Sequence, residues 1–205
     1  MTEKHATIFI IDDDEGVRHS LVALLEAEGF ATRCFASGKA FFEGYHPVAR
    51  GCLLLDIRMP ELDGLTVQRK LAAEEIRLPI IFITGHGDIR LAVRAMKNGA
   101  ADFIEKPFTD DIILKSVRTA LRAPGAASPP PSPAGVRQRL AQLTPRESEV
   151  LAELIDGWPN KTIAARLGIS PRTVEIHRAR IMDKMRARSL PHLVRLALTT
   201  ESARP

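Results

Sequence analysis

Three short segments, "TIFII" (7–11), "GCLLLD" (51–56) and "LPIIFIT" (78–84), are apolar at consecutive rather than alternate positions. Strands of that kind have both faces out of water, the environment of a parallel sheet covered by helices on each side. "TRCF" and "ADFIE" read as weaker strands, and helical patterns fill the intervals at roughly 15–28, 38–44, 64–74, 88–98 and 109–122. Five strand–helix units within the first 122 residues predict a doubly wound α/β domain with a five-stranded parallel sheet.

A second feature divides the chain. "APGAASPPPSPAG" (123–135) contains five prolines, which remove backbone donors and favour extended geometry. It reads as a linker able to separate two domains by roughly 40 Å when extended, at about 3.1 Å per residue. The expected boundaries are therefore 1–122, a linker over 123–137, and a second domain over 138–205. Charge follows the same division. Residues 1–122 hold 16 Lys and Arg against 18 Asp and Glu, whereas 123–205 hold 13 against 7. An acidic half and a basic half suggest separate tasks, the second on a polyanion. No apolar run reaches membrane-spanning length and the first residues lack a signal peptide's pattern, so a cytoplasmic protein without a membrane partner is expected. Cys34 and Cys52 lack metal-ligand spacing and are read as buried thiols.

The first domain gathers its chemistry at the carboxyl ends of the strands, where open α/β sheets bind ligands. Asp12 and Asp13 follow the first strand, Asp56 ends the third, Thr84 the fourth, and Lys106 follows the fifth. Asp14 reads as a surface acid or helix N-cap beside them. Three like-charged acids in succession exceed what a helix dipole rewards, so a cation is expected among them. A hard divalent ion such as Mg²⁺ takes oxygen ligands of this type. Taken singly, Asp56 and Thr84 would serve equally as helix caps, Lys106 as a solvated lysine, and His86 as a loop residue.

"IIDDDE", "LLLDIRMPELDG", "FITGHGD" and "ADFIEKPF" together resemble the receiver domain of bacterial two-component response regulators. The resemblance implies a flavodoxin-like strand order and a phosphoryl group accepted on Asp56 from a sensor histidine kinase. Mg²⁺ would be held by Asp13, Asp56 and the Arg58 carbonyl, with Asp12 acting mainly through water. Thr84 and Lys106 would contact the phosphoryl oxygens. Phe103 takes the place of the switch aromatic but has no phenol hydroxyl, and Pro107 matches a proline often preceded by a cis bond. The face carrying Arg90, Arg94 and Lys97 against Asp102, Asp110 and Asp111 is expected to pair two phosphorylated receivers about a two-fold axis.

In the basic half, Thr144, Pro145 and Glu147 form a capping-box helix start. Val150, Leu151, Leu154 and Ile155 make one apolar stripe ending at Gly157; Ile163, Ala164 and Leu167 make a second ending at Gly168. Ser170 then caps a third helix that opens with Pro171. This is the helix-turn-helix pattern. On the third helix Val174, Ile181 and Met185 should face inward, with His177 half-buried near them. Arg172, Thr173, Glu175, Ile176, Ala179 and Arg180 should face DNA, with Lys161 on a phosphate. Ile176 suits a thymine methyl and Glu175 a cytosine amino group, while the arginines suit guanine edges, phosphates or solvent. Trp158 reads as core filling. "LTPRE", "NKTIAARLGIS" and "TVEIH" resemble the LuxR/NarL-type four-helix output domain, and with this receiver the pairing is similar to the FixJ subfamily. Its fourth helix, around Leu190–Leu198, would dimerise on double-stranded DNA, and RNA polymerase is a further implied partner.

The resemblance implies a transcription regulator and not an enzyme. Two rival readings fit the sequence less well. An Asp-nucleophile phosphatase would place an acid two residues after Asp56, where Arg58 stands. A phosphorylation-independent binding module would have no need of the full Asp12, Asp13, Asp56, Thr84 and Lys106 set.

Overall fold

The computed structural model describes residues 6–48, 50–85, 89–122, 133–187 and 189–201. The first 122 residues alternate strand and helix: β1 (Thr7–Ile11), α1 (Glu15–Ala27), β2 (Ala31–Phe35), α2 (Gly38–Gly44), β3 (Gly51–Asp56), α3 (Gly64–Ala73), β4 (Ile80–Thr84), α4 (Ile89–Lys97), β5 (Asp102–Glu105) and α5 (Asp110–Leu121). Five helices follow: α6 (Pro133–Leu140), α7 (Pro145–Ile155), α8 (Asn160–Leu167), α9 (Pro171–Met185) and α10 (Leu190–Glu201). The sheet with α1–α3 and α5 forms one compact unit; α6–α10 form the other, with which α4 is grouped.

All five strands are parallel in the order β2-β1-β3-β4-β5. The two apolar faces expected from consecutive hydrophobics are both covered. Ile8, Ile10, Cys52, Leu54, Ile81, Ile83 and Ile104 pack with Leu21 and Leu25 of α1 and Ile113, Val117 and Leu121 of α5. The alternate residues, including Phe9, Leu53, Leu55 and Phe82, are equally buried. Phe9 meets Phe41 of α2 edge-on at 5.7 Å between ring centroids, and Phe82 lies beneath Gly64 of α3. β3, in the middle of the sheet, is buried at every position.

Two expectations are corrected here. The linker reading over 133–137 is overturned, because α6 begins at Pro133. A proline costs nothing in a first helical turn, where its amide would lack a partner anyway. Val136 is fully buried and Leu140 half-buried, one helical turn apart, which gives α6 an apolar side to pack. Residues 123–132 lie outside the described residues. Cys34 is exposed, unlike Cys52, because β2 is an edge strand. Burial pushes the Cys52 thiol up to about 12. Among the described residues no helix is long and apolar enough to cross a membrane.

In the helical unit, Val150, Leu154, Ile163, Val174, Ile181, Met185, Leu193 and Val194 are fully buried. The Thr144–Glu147 capping box forms as expected. Gly168 ends α8 in the left-handed region at φ 66°, where a side chain would be strained. α10 packs on α6, α9 and α7, so much of its apolar set is used within the chain.

Candidate functional site: a buried acid pair and an exposed helix face

β3 delivers Asp56 to the carboxyl edge of the sheet, where its side chain is only 6% exposed. The chain then loops back, and Gly64 N–H donates to the Ile57 carbonyl at 2.9 Å. A Cβ on Gly64 would lie 2.4 Å from the Asp56 carbonyl oxygen, so only glycine allows α3 to seat this close to the strand end. The Arg58 amide donates to Asp56 Oδ2 at 2.6 Å.

β1 brings Asp12, 2% exposed, to the neighbouring strand end. Its Oδ1 accepts the Asp14 amide at 2.9 Å, and Asp14 in turn caps α1 by accepting from Gly16 and Val17. Lys106 joins the two buried acids. Its Nζ lies 2.8 Å from Asp12 Oδ2 and 3.1 Å from Asp56 Oδ1. The lysine follows β5, its amide donates to the Thr84 carbonyl at 2.7 Å, and the Lys106–Pro107 peptide bond is cis.

The charges shape each other. Burial pushes the Asp56 carboxyl up, with the Asp12 charge adding to the effect; the Lys106 ammonium and the Arg58 amide oppose it without cancelling it. For Lys106, burial pulls downward, but hydrogen bonds to Asp12 and Asp56 and their charges hold the ammonium above its usual range. Two carboxylates against one ammonium leave this pocket one negative charge in excess. That donor set suits a hard divalent cation, which takes oxygen ligands.

The sequence-predicted residues are only partly brought together. Asp12, Asp56 and Lys106 meet. Asp13 is exposed, and among the described residues no three acids, histidines or cysteines converge closely enough to form a metal cluster. Of the three carboxylates expected there, Asp12 and Asp56 are buried against Lys106 and Asp13 is exposed beside them in sequence. Thr84 is buried at 1% exposure, and Phe103 at 8%. Arg58 is exposed. His86 lies outside the described residues. Arg90, Arg94 and Lys97 are exposed on α4. Both Asp102 oxygens are engaged within their own region, accepting from Phe103 N–H at 2.9 Å and Ser116 Oγ at 2.7 Å.

On α9, Arg172, Glu175, Ile176, Ala179 and Arg180 are exposed and Thr173 half-exposed, while Val174, Ile181 and Met185 are buried. Ile176, 46% exposed, is one of two large apolar side chains so open to solvent among the described residues. Lys161 is exposed on α8, and His177 is half-buried. Trp158 is also half-buried rather than core. Its ring lies under the Arg166 guanidinium at 4.9 Å, and that group also pairs with Glu153 at 2.6 Å. The indole therefore serves as a platform for a cation.

Residues 8–118 match the response regulator receiver domain, and residues 141–197 match the luxR family of bacterial regulatory proteins. The chain belongs to the response regulators. This response regulator is 48% identical over 193 residues to the transcriptional regulatory protein FixJ of Rhizobium meliloti (strain 1021), spanning 94% of this chain and 95% of that one. The response regulator protein TmoT of Ectopseudomonas mendocina is 44% identical over 96% of this chain and 90% of its own. Full-length FixJ from B. japonicum is a solved structure with 43% identity, covering 97% of this chain and 98% of that one at a TM-score of 0.55. In this response regulator the receiver domain precedes the luxR-type domain, the pair that marks a DNA-binding transcription regulator.

Sequence reasoning passed over three groups. Glu147 is 2% exposed and pairs with Lys184 Nζ of α9 at 2.6 Å; its role was read only as local capping. Gly64 was visible as the glycine of "LDG", but its close approach to Asp56 was not. Arg18 was not singled out at all.

Proposed function

We propose that this response regulator accepts a phosphoryl group on Asp56 from the phosphohistidine of a sensor kinase and, once modified, activates transcription from a DNA site. The observation that carries the reading is the buried Asp56 carboxylate, held at a strand end 3.1 Å from the Lys106 ammonium. An Asp56 oxygen attacks phosphorus, the bond to the histidine nitrogen breaks, and the resulting acyl phosphate later yields to water. Lys106 is positioned to neutralise charge on the transferred group, and the Thr84 hydroxyl donates to it.

Asp12, Asp13 and Asp56 with the Arg58 carbonyl are the groups that would hold Mg²⁺, the remaining positions going to water. Bound Mg²⁺ would supply charge neutralisation for the incoming phosphoryl oxygens. Inward movement of Thr84 then opens space for the Phe103 ring, and the receiver dimerises through Arg90, Arg94 and Lys97 against Asp102 and its neighbours. Dimerisation joins two α9 helices on adjacent DNA half-sites, raising affinity through effective concentration. RNA polymerase is recruited at such a promoter. The protein acts in the cytoplasm.

Acetyl phosphate with Mg²⁺ tests the chemistry. Intact-mass measurement should show one phosphoryl group on the wild type, none on Asp56→Asn, and none after chelation. Equal labelling of Asp56→Asn and wild type would refute the assignment.

A further inference from the structure

Arg18, in the second turn of α1, collects three successive carbonyls of the turn that carries the acids. Its Nη1 donates to the Asp12 carbonyl at 2.7 Å and to the Asp13 carbonyl at 3.0 Å. Its own amide donates to the Asp14 carbonyl at 3.1 Å. The remaining groups of the turn are also engaged: Asp12 N–H on the Phe35 carbonyl, Asp14 N–H on Asp12 Oδ1, and the Gly16 and Val17 amides on Asp14 Oδ1. Each bond fixes a peptide plane, and the planes on either side of a residue set where its side chain starts. Three adjacent carboxylates repel one another, and an unbraced turn would relax by splaying them apart. A guanidinium suits this task because it offers several donors from one rigid plane.

From this geometry we infer that Arg18 is a positioning residue for cation binding, acting through the turn rather than touching the ion. With its side chain on the Asp12 and Asp13 carbonyl oxygens, it keeps those oxygens from turning toward the site and holds the two carboxylates in a single arrangement. The inference rests on the Mg²⁺ reading above and deepens it. It also makes a prediction whose sign opposes simple electrostatics. Removing a positive charge beside an acidic site should strengthen attraction for a divalent cation; removing a brace should weaken binding. Supporting groups of this kind typically contribute about 10–100-fold to metal affinity.

The experiment is calorimetric titration of MgCl₂ into the full chain at fixed ionic strength, with thermal unfolding recorded for every variant. Wild type should bind, and Arg18→Met should bind about 10-fold or more weakly while remaining folded. Arg18→Lys, which keeps the charge and a donor, should recover part of the loss. In an Asp13→Asn background the Arg18→Met effect should shrink, because the group being positioned is gone. If Arg18→Met fails to fold, Arg18→Gln carries the same expectation. Affinity in Arg18→Met equal to or tighter than in a binding wild type would overturn the positioning role alone. A wild type that takes up no Mg²⁺ would instead overturn the metal reading, and this inference with it.

Discussion

An exposed isoleucine on a helix whose other side is fully buried is a costly placement unless something apolar covers it. At 46% exposure Ile176 leaves apolar area in water that a thymine methyl would remove. Its neighbours Arg172, Glu175 and Arg180 are exposed with it, so the same face offers donors and an acceptor for base edges. Lys161 presents a lone charge with no such shape and is suited to a phosphate. Ile176→Ala should therefore alter base preference by about 1–3 kcal/mol at one position with little change in salt dependence. Lys161→Ala should weaken specific and random duplexes alike and lower the salt slope by about one. Fluorescence anisotropy over a salt series measures both. Equal losses from Ile176→Ala on specific and random duplexes would sink the recognition-helix register.

Helices α7 and α9 are tied by a group that first seems to serve α7 alone. Glu147 accepts the Thr144 amide at 2.8 Å as the third residue of its own helix, and the same Oε2 accepts from Lys184 Nζ at the far end of α9. The Lys184 hydrogen bond, followed by the Thr144 amide, holds the Glu147 carboxyl down to about 2, against an ordinary 4.5. Because the folded pKa lies below the unfolded one, the stabilisation is fully present above about pH 4.5 and is lost as the pH falls toward 2. Denaturant unfolding between pH 6 and pH 2.5 should show a decline that Glu147→Gln flattens. A wild type and a variant with parallel pH profiles would mean that the bond between the two helices contributes nothing to stability. Gly64 plays the corresponding part in the receiver, allowing α3 to meet the end of β3. Both cases are contacts between elements resting on a single atom, or its absence.

For the whole molecule, the proposed activation is tested by whether modification of Asp56 changes how two copies meet. The buried Asp56–Lys106–Asp12 group already carries an excess negative charge, and the proposed phosphoryl group would add more. A receiver shifts state only by the differential contacts that the new group makes. Phosphorylation of the full chain should therefore raise its sedimentation coefficient from that of a monomer to that of a dimer at micromolar concentration. Charge reversal at Arg94 should prevent this without reducing labelling of Asp56. A fully phosphorylated chain that stays monomeric would exclude dimerisation as the route to activation.

The amino-acid sequence alone determined what depends on near neighbours. Runs of consecutive apolar residues specified a parallel sheet covered on both faces, and the caps at Thr144 and Ser170 specified where helices start. Four motifs in order specified the receiver family. These signals are legible because a strand, a helix turn or a cap is settled within a few residues. Tertiary structure decided what depends on distant ones. Lys106 reaches Asp12 across 94 residues and Asp56 across 50, and no local pattern fixes which oxygen it meets. Asp13 is exposed where Asp12 is buried, Cys34 is exposed on an edge strand, and Trp158 becomes a cation platform, each because strand order and helix packing set the side chain's surroundings. The same holds for α6: its opening proline looks like a linker's, yet the segment is a helix with Val136 buried. Periodicity specifies which face of an element is apolar, whereas the partner that covers the face is chosen by the fold.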